Sequence, residues 1–427
     1  MKDNNQAMSP VTAYLLLWFP KPSETFVFRE AMTLREMGLP IKFFSLYGRL
    51  KRNLSLEMRS ISNEVERLGI LYLKRVHREV FYWWKKDPNK VVYLLKTLIL
   101  RPWYGHEKTG ENLWAFLCAF RLARRFQEEK IQHIHAPWAS GPATAAWIAS
   151  QLTGIPFSFT ARAWDIYPPD GLLKEKIRDA ILVRSETRHN IDHLVGIAGG
   201  DIRKIYLTYN GIPLNVRGEA TASLTPPYQL LALGRFVAKK GYDDLLKACK
   251  ILKDKGLNFR LTLAGDGPRK RRFQRLTHQL GLDDQVSFPG FLSYDCIPAL
   301  LSSTDIFLMP STVHSSGDRD GIPTVILEAL AHRLPVIATG ISGIPEVIED
   351  RKTGLLVPEK DPPAIAAAVE DLVNDRESAI RMAKEGRTRV LQQFDSKNNH
   401  VKVLDLYRRA LGQDSLPPLI LRQGRLE

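Results

Sequence analysis

Asp320 and Glu328 bracket the start of an apolar run, Asp320-Gly321-Ile322-Pro323-Thr324-Val325-Ile326-Leu327-Glu328-Ala329. A loop of small and charged residues (Ser315, Ser316, Gly317, Asp318, Arg319) leads into it. The spacing predicts a helix to Arg333 with Pro323 at its first position. A helix start presents N–H groups without intrahelical partners and the positive end of a dipole, which suits a phosphate. Helical side chains lean toward the N-terminus, so Glu328, about one and a half turns in, reaches back toward Asp320. Carboxylates beside a phosphate fit as acceptors for sugar hydroxyls rather than as phosphate contacts. Phosphate and sugar hydroxyls together describe a sugar nucleotide. The same stretch also fits an ordinary surface helix with a solvated glutamate.

Arg235 and Lys240 are a second candidate pair, in Gly234-Arg235-Phe236-Val237-Ala238-Lys239-Lys240-Gly241. This segment follows the apolar run 228–233, and ligands of parallel α/β sheets sit beyond the carboxyl ends of strands. The two cations there can clamp a diphosphate or simply form a solvated basic turn. Arg162 and Asp165 follow the run 157–161 in the same way, which puts Arg162 at the cleft edge, where its guanidinium can contact a donor phosphate or pair with Asp165. His133 and His135 alternate on a strand, and His189 and His193 lie one helical turn apart, but neither pair has the third ligand of a zinc site. Gly265-Asp266-Gly267-Pro268 lacks the third glycine of a dinucleotide fingerprint.

These residues need parallel sheets to position them, and the chain supplies two series. Strands are expected at 13–19, 41–46, 131–135, 157–161, 181–184 and 204–209, alternating with helices that include 141–153 and 186–198. Ser23 is expected to cap a helix running to Met37, with Gly38 as its stop. Asn210-Gly211-Ile212-Pro213 and the polar segment to Pro226-Pro227 read as a linker. A second series follows, with strands 228–233, 259–264, 286–288, 305–309, 336–338 and 354–357. The expected division is 1–212, linker 213–227, 228–393, and a terminal helix with a loose tail over 394–427.

The 427 residues, 44% of them hydrophobic, suffice for two large cores, and the net charge of +15 calls for an anionic partner. Cys118, Cys249 and Cys296 have no metal-like spacing and read as buried reduced thiols in a cytosolic protein. No apolar run is long enough to cross a bilayer. Between 59 and 130, aromatic and basic residues mix, with Trp83, Trp84, Lys85, Lys86, Lys96 and Arg101 the clearest cases. Such helices can lie on an anionic membrane or pack their aromatics inward.

Six segments in order carry a family resemblance: Phe19-Pro20-Lys21-x-Ser23-Glu24-Thr25-Phe26, Asn210-Gly211-Ile212, Gly234-Arg235 with Lys240-Gly241, Gly265-Asp266-Gly267-Pro268, Gly343-Ile344-Pro345-Glu346, and Thr353-Gly354-Leu355-Leu356-Val357. The chain resembles the retaining glycosyltransferases of group 1, and among them the bacterial enzymes that build colanic acid and other exopolysaccharides. The resemblance implies the GT-B fold: α/β, two Rossmann-like domains facing across a cleft, with the C-terminal helix returning to the first. The first domain would bind the acceptor and the second the nucleotide sugar. It also implies a catalytic set of Arg235, Lys240, Asp320 and Arg162. Glu328 would hold ribose hydroxyls and Asp320 a donor-sugar hydroxyl, with Gly321, Ile322 and Pro323 at the helix start and Phe291 and Leu292 near the base. Ser23, Glu24, Thr25 and Asp165 would face the acceptor or cleft. Two departures stand out: Asp320 replaces the first glutamate of the family's acidic pair, and Arg162 stands where relatives often have histidine.

The expected reaction is retaining transfer of a hexose from a nucleoside diphosphate sugar to a saccharide or polyprenyl-linked acceptor. The expected location is cytoplasmic, peripheral at the inner face of the cell membrane. No cofactor or metal is expected, and the match of Asp318-Arg319-Asp320 to a metal-binding Asp-x-Asp is read as chance. A sugar-nucleotide epimerase, a phosphorylase and a non-catalytic sugar-nucleotide scaffold remain as alternatives. Nucleic acid ranks last as a partner, since no nucleic-acid module surrounds the basic residues.

Overall fold

Among the described residues nine of the thirteen strands run four to six residues, and six of these nine are buried along their whole length, as a parallel sheet covered on both faces requires. The computed structural model describes residues 10–22, 24–49, 54–101, 106–214 and 224–412. Ser23, most of the expected 213–227 linker and the tail beyond 412 lie outside them.

Two compact units are present. The first takes in the chain to Glu186, Asn190–Thr208 and His400 onward; the second takes in Thr187–His189 and Tyr209–Asn399. The first unit holds a seven-stranded sheet of β1 Thr12–Leu16, β2 Ile41–Ser45, β3 Glu66–Arg67, β4 His133–Ala136, β5 Phe157–Ala161, β6 Leu182–Ser185 and β7 Ile205–Leu207. Its order is β3-β2-β1-β4-β5-β6-β7, and every pairing is parallel. The second holds six strands, β8 Tyr228–Leu233, β9 Phe259–Ala264, β10 Val286–Ser287, β11 Ile306–Met309, β12 Val336–Thr339 and β13 Leu355–Val357. Their order is β10-β9-β8-β11-β12-β13, again parallel.

Alternation along each strand splits the core in two. On β8, Leu230 and Ala232 join one apolar cluster while Leu231 and Leu233 join another, and on β11 Ile306 and Leu308 divide from Phe307 and Met309 in the same way. Cys118 and Cys249 are buried, but Cys296 is exposed in a short 3-10 turn, contrary to the sequence expectation.

The aromatic stretch also needs a correction. Trp83, on the helix Val76–Lys86, is 1% exposed and donates its indole N–H to the Phe120 carbonyl at 2.9 Å, whereas Trp84 is 42% exposed. Trp83→Ala is therefore expected to cost about 3–5 kcal/mol of stability, and Trp84→Ala less than about 0.5 kcal/mol. Chemical denaturation checks this, and equal losses from both would contradict the burial.

Candidate active site

In each sheet the strand order reverses once, and a crevice beyond the carboxyl ends at that reversal is where open α/β sheets place ligands. In the second unit the reversal lies between β8 and β11. The segments leaving those strands are Gly234–Gly241 and Pro310–Asp320, which hold Arg235, Lys240 and Asp320 of the residues expected from sequence to bind the donor.

Two glycine turns clear this end of the sheet. A Cβ at Gly265, whose φ is +142°, would lie 1.9 Å from the Gly234 carbonyl oxygen, and one at Gly241 (φ +66°) would lie 1.7 Å from that of Pro310. Gly265 N–H donates to the Gly290 carbonyl at 2.9 Å, tying the β9 and β10 ends together. Beyond that turn Phe291 is exposed, while Leu292 packs partly against the core.

The charged centre has two lysines and two aspartates. Lys240 Nζ lies 2.7 Å from Asp320 Oδ2, and Lys239 Nζ lies 2.9 Å from Asp318 Oδ1 and 3.5 Å from Asp320 Oδ1. Ser311 Oγ donates to Asp320 at 3.2 Å, and Lys239 also donates to the Arg319 carbonyl. Burial by itself would raise the Asp320 carboxyl, but Lys240 and Lys239 outweigh it and hold it below its ordinary value. Arg235 is exposed on the same turn.

Lys239 and Ser311 escaped the sequence reading as site residues, and Asp318 entered it only through the Asp-x-Asp match. The only signal for Lys239 was its place beside Lys240; a 3-10 turn over Ala238–Lys240 brings both ammonium groups to the aspartates. Asp318 and Asp320, on either side of Arg319, are each paired with a lysine.

The helix opens one residue later than expected, at Thr324. Pro323 is its N-cap, in an extended conformation with no side-chain capping bond, and the helix ends at Ala331 rather than Arg333. Gly321 and Ile322 lie in the turn before it, Ile322 packed against the core. Glu328 is half-buried at the fifth helical position, between the buried Leu327 and Ala329.

In the first unit, Glu24 rather than Ser23 is the N-cap of the helix Thr25–Glu36, and Thr25 is its first residue. The Glu24 carboxylate instead accepts from Lys21 Nζ at 2.6 Å and from Trp138 Nε1 at 3.2 Å. Arg162 is 4% exposed, which corrects its expected place at a cleft edge. Nor does its guanidinium pair with Asp165. It pairs with Glu186, donates to the Pro137 carbonyl at 3.1 Å, and lies 4.6 and 5.3 Å from the ring centres of Phe26 and Trp138. Asp165 accepts the backbone N–H groups of Arg162 and Ala139, and burial pushes its carboxyl up to about 7.

His133 and His135 are buried and share the Ser158 hydroxyl, at 2.8 and 2.9 Å. Burial drives His133 down to about 3. Among the described residues no cluster of three or more His, Cys, Asp or Glu side chains could hold a metal ion.

Residues 219–389 match the model of the glycosyl transferases group 1. The chain is 37% identical over 172 residues to WcaL of Salmonella typhimurium, named for colanic acid biosynthesis, an alignment covering 40% of this chain and 42% of that one. It is 33% identical over 210 residues to the amylovoran biosynthesis glycosyltransferase AmsK of Erwinia amylovora, covering 49% and 51%. The chain thus spans about half the length of these curated relatives. Among solved structures it is similar to HepE of Anabaena in complex with UDP and glucose, at 15% identity and a TM-score of 0.68, covering 92% of this chain and 98% of that one. The fold is the two-domain α/β GT-B fold, as the sequence resemblance implied.

Proposed function

We propose that this chain, which has the GT-B fold and matches the group 1 glycosyl transferase model over residues 219–389, moves a hexose from a nucleoside diphosphate sugar to a saccharide or polyprenyl-linked acceptor during exopolysaccharide assembly, retaining the anomeric configuration. The observation that carries this reading is the Lys239–Lys240–Asp318–Asp320 cluster at the reversal between β8 and β11. Lys240 and Arg235 bind the diphosphate, and Asp320 accepts a hydroxyl of the transferred sugar. Glu328 holds ribose hydroxyls. The acceptor hydroxyl attacks the anomeric carbon as its bond to the diphosphate breaks, and a donor phosphate oxygen takes the hydroxyl proton. The protein's part is charge stabilisation: fixed cations stand where negative charge develops on the leaving group.

Incubating the purified chain with a panel of nucleotide sugars should show slow hydrolysis of at least one, and none across the panel would sink the reading. Lysine and arginine supply the leaving-group charge here, so EDTA is expected to leave the rate unchanged. Activity lost to EDTA and restored by Mg²⁺ or Mn²⁺ would assign that charge to a metal instead.

The proposal includes attachment to an anionic membrane surface. No helix among the described residues is long and apolar enough to cross a membrane. On the helices Val76–Lys86 and Pro88–Ile99, however, Phe81, Trp84, Tyr93 and Ile99 are exposed, as is Leu100 just beyond, beside the exposed Lys85, Lys86 and Lys96. Ile99 and Leu100 are 73% and 77% exposed, which favours insertion over inward packing. Trp83 leaves the expected set because it is buried, and Arg101 is engaged with Glu175. Each lysine near the surface contributes about 1 kcal/mol, so sedimentation with acidic liposomes should exceed that with neutral ones and weaken with salt. Equal sedimentation with both would remove the membrane role.

A further inference from the structure

The proposed transfer gives roles to Lys240 and Asp320 but none to Lys239, which is 7% exposed. A lysine is buried that deeply only when its charge is paired, and Lys239 is paired within a single loop. Its ammonium group has three hydrogens to donate. Asp318 Oδ1 lies 2.9 Å from Nζ, the Arg319 carbonyl oxygen 3.2 Å and Asp320 Oδ1 3.5 Å. Three consecutive residues of the loop after β11 thus face the three hydrogens, and the group has none left for a ligand. The main chain of Lys239 holds the other end of the same loop, its carbonyl accepting the Thr312 N–H at 2.8 Å. Between the two holds the loop closes on itself: the His314 N–H donates to the Asp318 carbonyl at 2.9 Å and the Gly317 N–H to the His314 carbonyl at 2.8 Å.

Asp320 ends this loop, and its two oxygens face different lysines, Oδ1 toward Lys239 and Oδ2 toward Lys240 at 2.7 Å. When a diphosphate draws Lys240 away, Oδ2 is freed for a sugar hydroxyl while Oδ1 keeps its cation. Groups that position a substrate must be placed to within about an ångström to be effective. Aspartate has one methylene fewer than glutamate, so its carboxylate goes where the loop backbone sets it. We infer that Lys239 is a positioning residue: paired with Asp318, it braces the loop 311–320 so that Asp320 meets the donor sugar. This inference deepens the proposed function and rests on it for the donor; the brace itself does not depend on transfer.

Hydrogen exchange on the full chain without ligand tests the brace, and hydrolysis of the nucleotide sugar, set beside UDP and GDP affinity by calorimetry, tests its use. In Lys239→Met the His314 and Gly317 amides should exchange at least about tenfold faster. Donor hydrolysis should fall at least about tenfold while affinity for the nucleoside diphosphate stays within about threefold, because Lys239 touches the loop and not the diphosphate. Asp318→Asn keeps the shape of the side chain and should move both readouts the same way, so the test does not depend on how well Lys239→Met folds. Lys239→Arg keeps the charge and should recover part of both. Unchanged loop exchange in Lys239→Met and Asp318→Asn would overturn the inference, as would hydrolysis and nucleotide affinity falling together in both, which marks general damage or a direct ligand contact. Faster loop exchange in both variants of a chain that hydrolyses no nucleotide sugar would uphold the brace and sink the transferase reading. Hydrolysis by the wild type, with loop exchange and turnover unchanged in both variants, would do the reverse.

Discussion

Lys240→Ala is expected to lower transfer by about ten- to a hundredfold, since a charge-assisted contact is worth about 1.5–3 kcal/mol, and by more where water is excluded. The fold should survive, because Asp320 keeps Lys239 at 3.5 Å and the Ser311 hydroxyl at 3.2 Å. Without donor, Lys240 and Asp320 neutralise each other at 2.7 Å. In the proposed function the donor separates them, its diphosphate taking the ammonium and a sugar hydroxyl taking the carboxylate. The effects of Lys240→Ala and Asp320→Asn should therefore not add, because each variant removes part of the same exchange. Arg235→Ala should also lower transfer, but less, since the exposed guanidinium is screened by water. Steady-state kinetics with donor and acceptor varied separately decide the matter. Near-normal turnover in Lys240→Ala would sink the clamp, and strictly additive losses would sink the exchange.

Much of the scaffold was legible because its signals are local. The strands 157–161, 228–233 and 259–264 and the helix 141–153 are where the apolar runs and their punctuation put them. The two-residue β3, Glu66–Arg67, has no apolar run to announce it; its pairing with Phe44 and Ser45 of β2 makes it a strand. Trp83 and Trp84 are adjacent and chemically alike, so composition cannot separate them. Helical geometry does, turning one toward Phe120 and the other outward. At the candidate site, Lys240 and Asp320 were found from position in the chain, but that they face each other is a tertiary fact, since they stand 80 positions apart in sequence. Arg162 shows the same limit. Its place beyond β5 was readable, but its partner Glu186 comes from the end of the next strand.

Arg162→Ala is expected to destabilise the first unit by about 3–5 kcal/mol, the usual cost of breaking a buried ion pair from one side. The side chain belongs to a buried network. Glu30 accepts from Arg184 and from the Tyr14 hydroxyl at 2.9 Å, and its carboxylate lies 3.9 Å from Arg162, whose other nitrogen holds Glu186. Two arginines thus face two glutamates, and removing the Arg162 guanidinium leaves the half-buried Glu186 without this partner and takes one of two cations from the buried Glu30. Burial alone would raise the Glu30 carboxyl, but Arg184 and Arg162 hold it at about 2, below its ordinary 4.5. A carboxyl depressed in this way adds stability that is fully present above pH 4.5 and is lost as pH falls toward 2. In Arg162→Ala that acid-side loss should begin at higher pH, because one of the two cations holding the carboxyl down is gone. Arg162→Lys should retain part of the stability, since it keeps the charge but not the planar group between Phe26 and Trp138. Arg162→His should behave more like alanine at neutral pH, because a buried imidazole stays largely neutral, as His133 does. Urea denaturation across pH 3–7, paired with kinetics at pH 7, separates structure from chemistry. A fully stable Arg162→Ala protein with a collapsed kcat would falsify the structural role and make Arg162 a catalytic residue, whereas lost stability with kcat preserved in the folded fraction is the result the buried network predicts.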